Sequence, residues 1–222
     1  MTGQTLPDRA LPDRALPDRA MTNRAVFLDR DGVINRVVLR DGKPYPPSGI
    51  ETLRLLPGVR EACRSLREAG FLLILATNQP DIGRGTADVT EVSTIHTYLQ
   101  RYLRLTDVKV CPHDDAAECD CRKPKPGLLL TAARDWGIDL AASYFVGDRW
   151  RDVEAGQRAG CRAVFIDYHY REQRPEAPFL TVRSLRDAAF RILEQARLEQ
   201  KQPAGETPAG KKIETQETLC HA

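Results

Sequence analysis

The stretch AVFLDRDGVIN, residues 25–35, decides how this chain is read. Its first four residues are apolar without alternation, the pattern of a strand covered on both faces of a sheet. The run predicts a short buried strand over 25–29 that ends on Asp29. A second carboxylate, Asp31, follows two residues later, and Gly32 lets the chain turn sharply. Two carboxylates past a buried strand are either a surface turn, where Asp and Gly are common, or a reactive site. The rest of the chain decides between them.

Outward from this stretch, apolar runs alternate with helical patterns. Strands are expected at 71–78, 107–113, 143–148 and 161–167. Helices are expected at 57–70, 87–104, 126–137, 150–160 and 184–197. The first helix has Pro57 at its start and Gly70 at its end. The second carries Val89, Val92, Ile95, Leu99 and Leu103 on one face. Alternation of this kind predicts a Rossmann-like α/β fold, a parallel sheet with right-handed crossovers and helices on both faces. Such sheets bind ligands outside the carboxyl ends of their strands.

The chain ends read differently. Residues 6–20 repeat LPDRA three times, a period of five that fits neither helix nor strand. Residues 1–21 are therefore expected to be a disordered leader and 199–222, polar with Pro and Gly, a disordered tail. The folded domain is expected over 22–198. With 33 Lys and Arg against 31 Asp and Glu, the net charge of +2 argues against a dedicated nucleic-acid or membrane-surface binder. Aromatic content of 6% is low for a single-strand stacking platform. The sequence has neither a transmembrane-length apolar run nor a secretory signal, which implies a cytoplasmic protein.

Further chemistry recurs where strands should end. The second strand ends in Thr77-Asn78-Gln79. Arg122-Lys123-Pro124 and Gly147-Asp148-Arg149 come later, with Asp152 four residues beyond Asp148. A carboxylate pair, a threonine, a lysine and a further carboxylate in that order resemble the haloacid dehalogenase superfamily of aspartate-nucleophile phosphohydrolases. The resemblance implies that Asp29 attacks phosphorus to form an aspartyl-phosphate. Asp31 would be general acid, then general base. Thr77, Asn78, Gln79 and Lys123 would bind the phosphate. Asp29, the backbone carbonyl of Asp31, and Asp148 would hold Mg²⁺, a hard, oxygen-seeking ion. Arg149 could touch the transferring phosphate. Asp152 either supports the metal through a water or caps the helix that begins near 150.

Three of the six cysteines cluster around one histidine. Cys111, His113, Cys119 and Cys121 form a Cys₃His set, a common tetrahedral zinc site with no coordination position left for substrate water. The metal would staple the loop that presents Arg122 and Lys123. Cys63 and Cys161 read as small buried hydrophobes.

DRDGVIN, TNQ, the CPH…CDCRKPKPG run and VGDR together resemble the D,D-heptose 1,7-bisphosphate phosphatases and the related histidinol-phosphate phosphatases. Both are small, Mg²⁺-dependent, zinc-stapled and capless. The spacing agrees with caplessness, since only 47 residues separate Asp29 from Thr77 and 45 separate Thr77 from Lys123. Arg122 would grip the second phosphate of a bisphosphate. The resemblance implies a monomeric enzyme of carbohydrate metabolism that removes the 7-phosphate of D-glycero-D-manno-heptose 1,7-bisphosphate and supplies surface-sugar precursors. The five residues between His113 and Cys119 look more like the histidinol-phosphate enzymes, and Pro80-Asp81 departs from the heptose pattern. Histidinol phosphate or another small phosphomonoester is thus an alternative substrate. A catalytically inactive, zinc-stapled binding module is the reading from a different class.

Overall fold

The computed structural model describes residues 22–40 and 43–201. The expected leader lies outside them, as does the tail from 202 onward, Cys220 included. The elements in chain order are β1 (Ala25–Leu28), the hairpin strands β2 (Val38–Arg40) and β3 (Lys43–Tyr45), α1 (Val59–Glu68), β4 (Leu72–Asn78), α2 (Pro80–Gly83), α3 (Val89–Leu103) and β5 (Asp107–Cys111). There follow α4 (Gly127–Trp136), β6 (Tyr144–Gly147), α5 (Trp150–Ala159), β7 (Arg162–Ile166), β8 (Leu180–Val182) and α6 (Leu185–Lys201).

The main sheet has six strands in the order β5-β4-β1-β6-β7-β8, and every neighbouring pair is parallel. The chain therefore builds outward from β1 to one edge, returns to β1's other side at β6, and builds to the opposite edge. That reversal makes the carboxyl end of β1 the switch point where a crevice opens.

The four residues of β1 are fully buried and divide between two cores. Val26 and Leu28 face the layer formed by α1, α3 and α6 with Leu66, Leu99 and Ile192. Ala25 and Phe27 face the layer of α4 and α5 with Leu129, Ala132 and Ala155. This is the period-two division of a strand covered on both sides. Cys63 and Cys161 sit in these cores, one in each, and burial pushes both thiols up to about 12.

Four features differ from expectation. The hairpin β2–β3 occupies a stretch that lacks strand periodicity. β8 adds a short edge strand whose Leu180 and Thr181 are exposed. Val89, expected on the inner face of α3, is 59% exposed because it opens the helix beyond the reach of the core. The helix α6 also continues to Lys201, three residues past the expected boundary at 198.

Candidate active site and zinc centre

Asp29, Thr77 and Asp148 all lie at carboxyl ends of adjacent strands, β1 flanked by β4 and β6. Lys123 joins them from the segment before α4. All four side chains are buried. The Lys123 ammonium donates to Asp29 Oδ1 at 2.7 Å and to the Ala76 carbonyl at 2.9 Å, and pairs with Asp152 Oδ1 at 2.6 Å. Burial works against the charge of Lys123, but Asp152 and Asp29 more than offset it and raise its pKa. The ammonium also lies 5.3 Å from the Phe145 ring centroid.

The side chain of Asn78 fixes Lys123 through the backbone. Its Nδ2 donates to the Lys123 carbonyl and its Oδ1 accepts from the Lys123 N–H, both at 3.1 Å. Asp152 does two jobs with two oxygens. Oδ1 meets Lys123, while Oδ2 accepts the Arg149 N–H at 3.0 Å and so caps α5. The helix-cap alternative of the sequence reading is thus realised. Gly147 makes room for it, since a Cβ there would lie 2.0 Å from Asp152 Cβ.

Three carboxylates, Asp29, Asp148 and Asp152, place ligand atoms within 4.8 Å of one another. Burial, chiefly, raises Asp29 to about 6, with Lys123 pulling it down and Asp152 and Asp31 pushing it up. Burial and the charges of Asp29 and Asp152 raise Asp148 well above the carboxylate range. One ammonium does not neutralise three buried carboxylates. Asp148 Oδ1 is buried without a hydrogen-bond partner, and Gly32 approaches so closely that a Cβ would sit 1.8 Å from Asp148 Oδ2. Gly32 has φ of +90°, which glycine adopts without strain. Excess buried negative charge, an orphaned carboxylate oxygen and all-oxygen donors fit a hard divalent cation such as Mg²⁺.

Asp31 lies beside this group in a second network. Arg30, 1% exposed, donates to Asp31 Oδ2 at 2.8 and 3.0 Å, to Gln79 Oε1 at 2.9 Å, and meets His96 Nε2 at 3.0 Å. Gln79 Nε2 donates to Asp31 Oδ2 and to Thr77 Oγ1, each at 3.0 Å, and Asn35 donates to Asp31 Oδ1 at 2.8 Å. Gln79 thus links Asp31 to Thr77. Burial, then the Arg30 charge, lowers His96 to about 4. The neutral imidazole accepts from Arg30 through Nε2. His96 went unnoticed in the sequence because it adjoins Ile95 on a helix face that reads as plain core.

Arg122 and Arg149 are engaged within the chain. Arg122 pairs with Asp115 at 2.8 Å and donates to the His113 carbonyl at 3.1 Å. Arg151 pairs with the same Asp115 at 3.2 Å. The Arg149 Nε lies 2.9 and 3.0 Å from the Glu172 carboxylate oxygens.

The second metal set is assembled by the end of β5 and the loop after it. Cys111, His113, Cys119 and Cys121 converge within 4.8 Å. The Cys111–Cys119 and Cys119–Cys121 sulfurs are 3.7 and 3.4 Å apart, and His113 Nδ1 lies 3.7 and 3.3 Å from Cys111 and Cys121. A zinc tetrahedron with bonds of about 2.3 Å to sulfur has edges of about 3.8 Å. The set fits zinc. Asn78 is register partner to Cys111 across β4 and β5, so a cysteine of the Cys₃His set and the lysine clip meet on adjacent strands.

This fold and site define a haloacid-dehalogenase-like phosphoric monoester hydrolase. The HAD-hydrolase-like family model matches residues 120–188. A D-glycero-beta-D-manno-heptose-1,7-bisphosphate 7-phosphatase of Rhodopseudomonas palustris is 37% identical over 148 residues, covering 61% of this chain and 79% of that protein. The Escherichia coli enzyme of the same name is 37% identical over 147 residues, covering 61% and 74%. The crystal structure of the D,D-heptose 1,7-bisphosphate phosphatase from Bordetella bronchiseptica with magnesium and phosphate superposes with a TM-score of 0.68 at 29% identity, covering 78% of this chain and 99% of that one. The chain belongs to the heptose-1,7-bisphosphate 7-phosphatase family. No helix among the described residues is long and apolar enough to cross a membrane.

Proposed function

We propose that this chain hydrolyses the 7-phosphate of D-glycero-D-manno-heptose 1,7-bisphosphate, and that the β-anomer is its substrate, as the names of its relatives suggest. The observation that carries this reading is the buried Asp29–Lys123–Asp152 group beside the orphaned Asp148 oxygen.

Asp29, Asp148 and the Asp31 carbonyl would hold Mg²⁺, which when bound supplies positive charge against the phosphate dianion. The carboxylate of Asp29 attacks phosphorus and the sugar oxygen leaves with the P–O electron pair, giving an aspartyl-phosphate. Asp31, held by Arg30, Gln79 and Asn35, delivers a proton to that oxygen. The same group then removes a proton from the water that attacks phosphorus and releases Asp29. Thr77 and Lys123 stabilise the phosphoryl oxygens from fixed positions, so little reorganisation is needed. The zinc set holds the loop that leads into Lys123, and Arg122 meets the second phosphate by exchanging its grip on Asp115. Thiolate zinc ligands suit a reducing cytoplasm, and we propose that the enzyme acts there as a monomer.

Phosphate release with Mg²⁺, measured side by side on both heptose bisphosphate anomers and on histidinol phosphate, tests the substrate. A kcat/KM for the β-anomer at least about a hundredfold above the others, roughly 2.7 kcal/mol, is expected. Preference for histidinol phosphate would refute the bisphosphate reading. Asp29→Asn should fold, keep zinc and lose turnover.

A further inference from the structure

The loop after β7, residues 167–174, lies against the cation side of the site. It is closed on itself at its base, where Arg174 forks onto Asp167 at 2.6 and 2.8 Å and Asp167 also accepts the His169 N–H at 2.8 Å. Its middle is attached to the turn after β6 at two points. Tyr170 donates its hydroxyl to Asp148 Oδ2 at 3.0 Å, and two residues later Glu172 takes Arg149. The Glu172 N–H donates to the Tyr170 carbonyl at 2.9 Å, so the two contacts belong to one turn.

Asp148 is thereby divided. One oxygen is occupied by a tyrosine hydroxyl, and the other, Oδ1, is buried and without a partner. The carboxylate group cannot rotate without giving up the tyrosine. We infer that Tyr170 is a positioning residue for cation binding, delivered by a strap built from residues 167–174, which orients Asp148 with Oδ1 presented to the ion. Ligating carboxylates are commonly held by an outer hydrogen bond of this kind, and its loss lowers metal affinity about 10–100-fold. The inference rests on Asp148 being a ligand, as proposed above.

The test is calorimetric titration of Mg²⁺ into the zinc-loaded chain after gel filtration into buffer without divalent ions. Tyr170→Phe keeps the ring and its neighbour Tyr168, whose centroid is 5.6 Å away. Its Mg²⁺ Kd should rise about 10–100-fold, with the melting temperature before Mg²⁺ addition unchanged. At saturating Mg²⁺, kcat should recover most of its wild-type value. Tyr168→Phe, the same chemical change without the bond to Asp148, should bind as wild type does. A Tyr170→Phe Kd within about twofold of wild type, or an equal loss in Tyr168→Phe, would overturn the role of Tyr170. Asp148→Asn tests the premise separately: undiminished Mg²⁺ binding in that variant would overturn the ligand assignment itself.

Discussion

Replacing Lys123 by methionine removes the ammonium and nearly preserves the stem. The residue is 2% exposed, and its Nζ has three oxygen partners, Asp29, Asp152 and the Ala76 carbonyl. The substitution strands Asp152, itself 2% exposed, with its helix-cap bond alone and leaves Asp29 without its counter-charge. Breaking a buried ion pair from one side costs about 3–5 kcal/mol. In a domain of this size each kcal/mol moves the midpoint by about 2–4 °C, so a fall of about 6–20 °C is expected. Asp152→Asn in the same background removes one stranded charge while its amide oxygen can still accept the Arg149 N–H. The double variant should regain about 1–3 kcal/mol over Lys123→Met. Urea and thermal unfolding, with zinc retained and no added Mg²⁺, measure both steps. A single variant that melts within about 2 °C of wild type, or a double variant less stable than the single, would refute the assignment of Lys123 as the buried counter-ion.

Cys119→Ala should abolish stoichiometric zinc by elemental analysis and expose the 111–127 loop to proteolysis; full zinc occupancy with an intact loop would contradict the ligand set. His96 has a folded pKa of about 4, below the 6.5 of a free imidazole. Its neutral form therefore contributes stability above pH 6.5 that is lost as pH falls toward 4, up to about 3 kcal/mol. His96→Gln should flatten that part of the stability profile in urea melts at pH 7, 6 and 5, whereas parallel profiles would mean that His96 protonates freely in the folded state. Gly32→Ala places a Cβ against Asp148 at positive φ. Backbone strain alone should destabilise it by about 1–3 kcal/mol, and Mg²⁺ binding by calorimetry should be weakened while zinc content stays whole.

The fold was legible where burial imposed an unbroken apolar run or a helical period. The apolar runs at 25–28 and 72–78 are strands covered on both faces, and the helix patterns bounded by Pro and Gly ended within one or two residues of the observed limits. Short elements escaped, because three residues of β8 or four of α2 carry too few side chains to show a period. The groups at strand ends were legible because Asp29, Thr77, Lys123 and Asp148 are reactive residue types placed in order after strands. Their supports were not. Arg30, His96 and Tyr170 act through contacts across 22 to 66 positions of sequence, and no local pattern encodes such a distance. Asp152 illustrates the limit: its position allowed two readings, and only its separate oxygens show what it does.

The central place of β1 has a consequence for how the chain is made. Among the described strands of the sheet this one leaves the ribosome first, yet its neighbours are Leu72–Leu75 on one side and Tyr144–Val146 on the other. At about 5–20 residues per second, the second neighbour follows on the order of ten seconds later. Until then the nascent domain carries a wholly apolar strand with an open hydrogen-bonding edge, the kind of template on which chains mispair. Asp29 therefore waits at the mouth of an unfinished sheet, and it gains both Lys123 and the carboxylate of Asp148 only once β6 has been made.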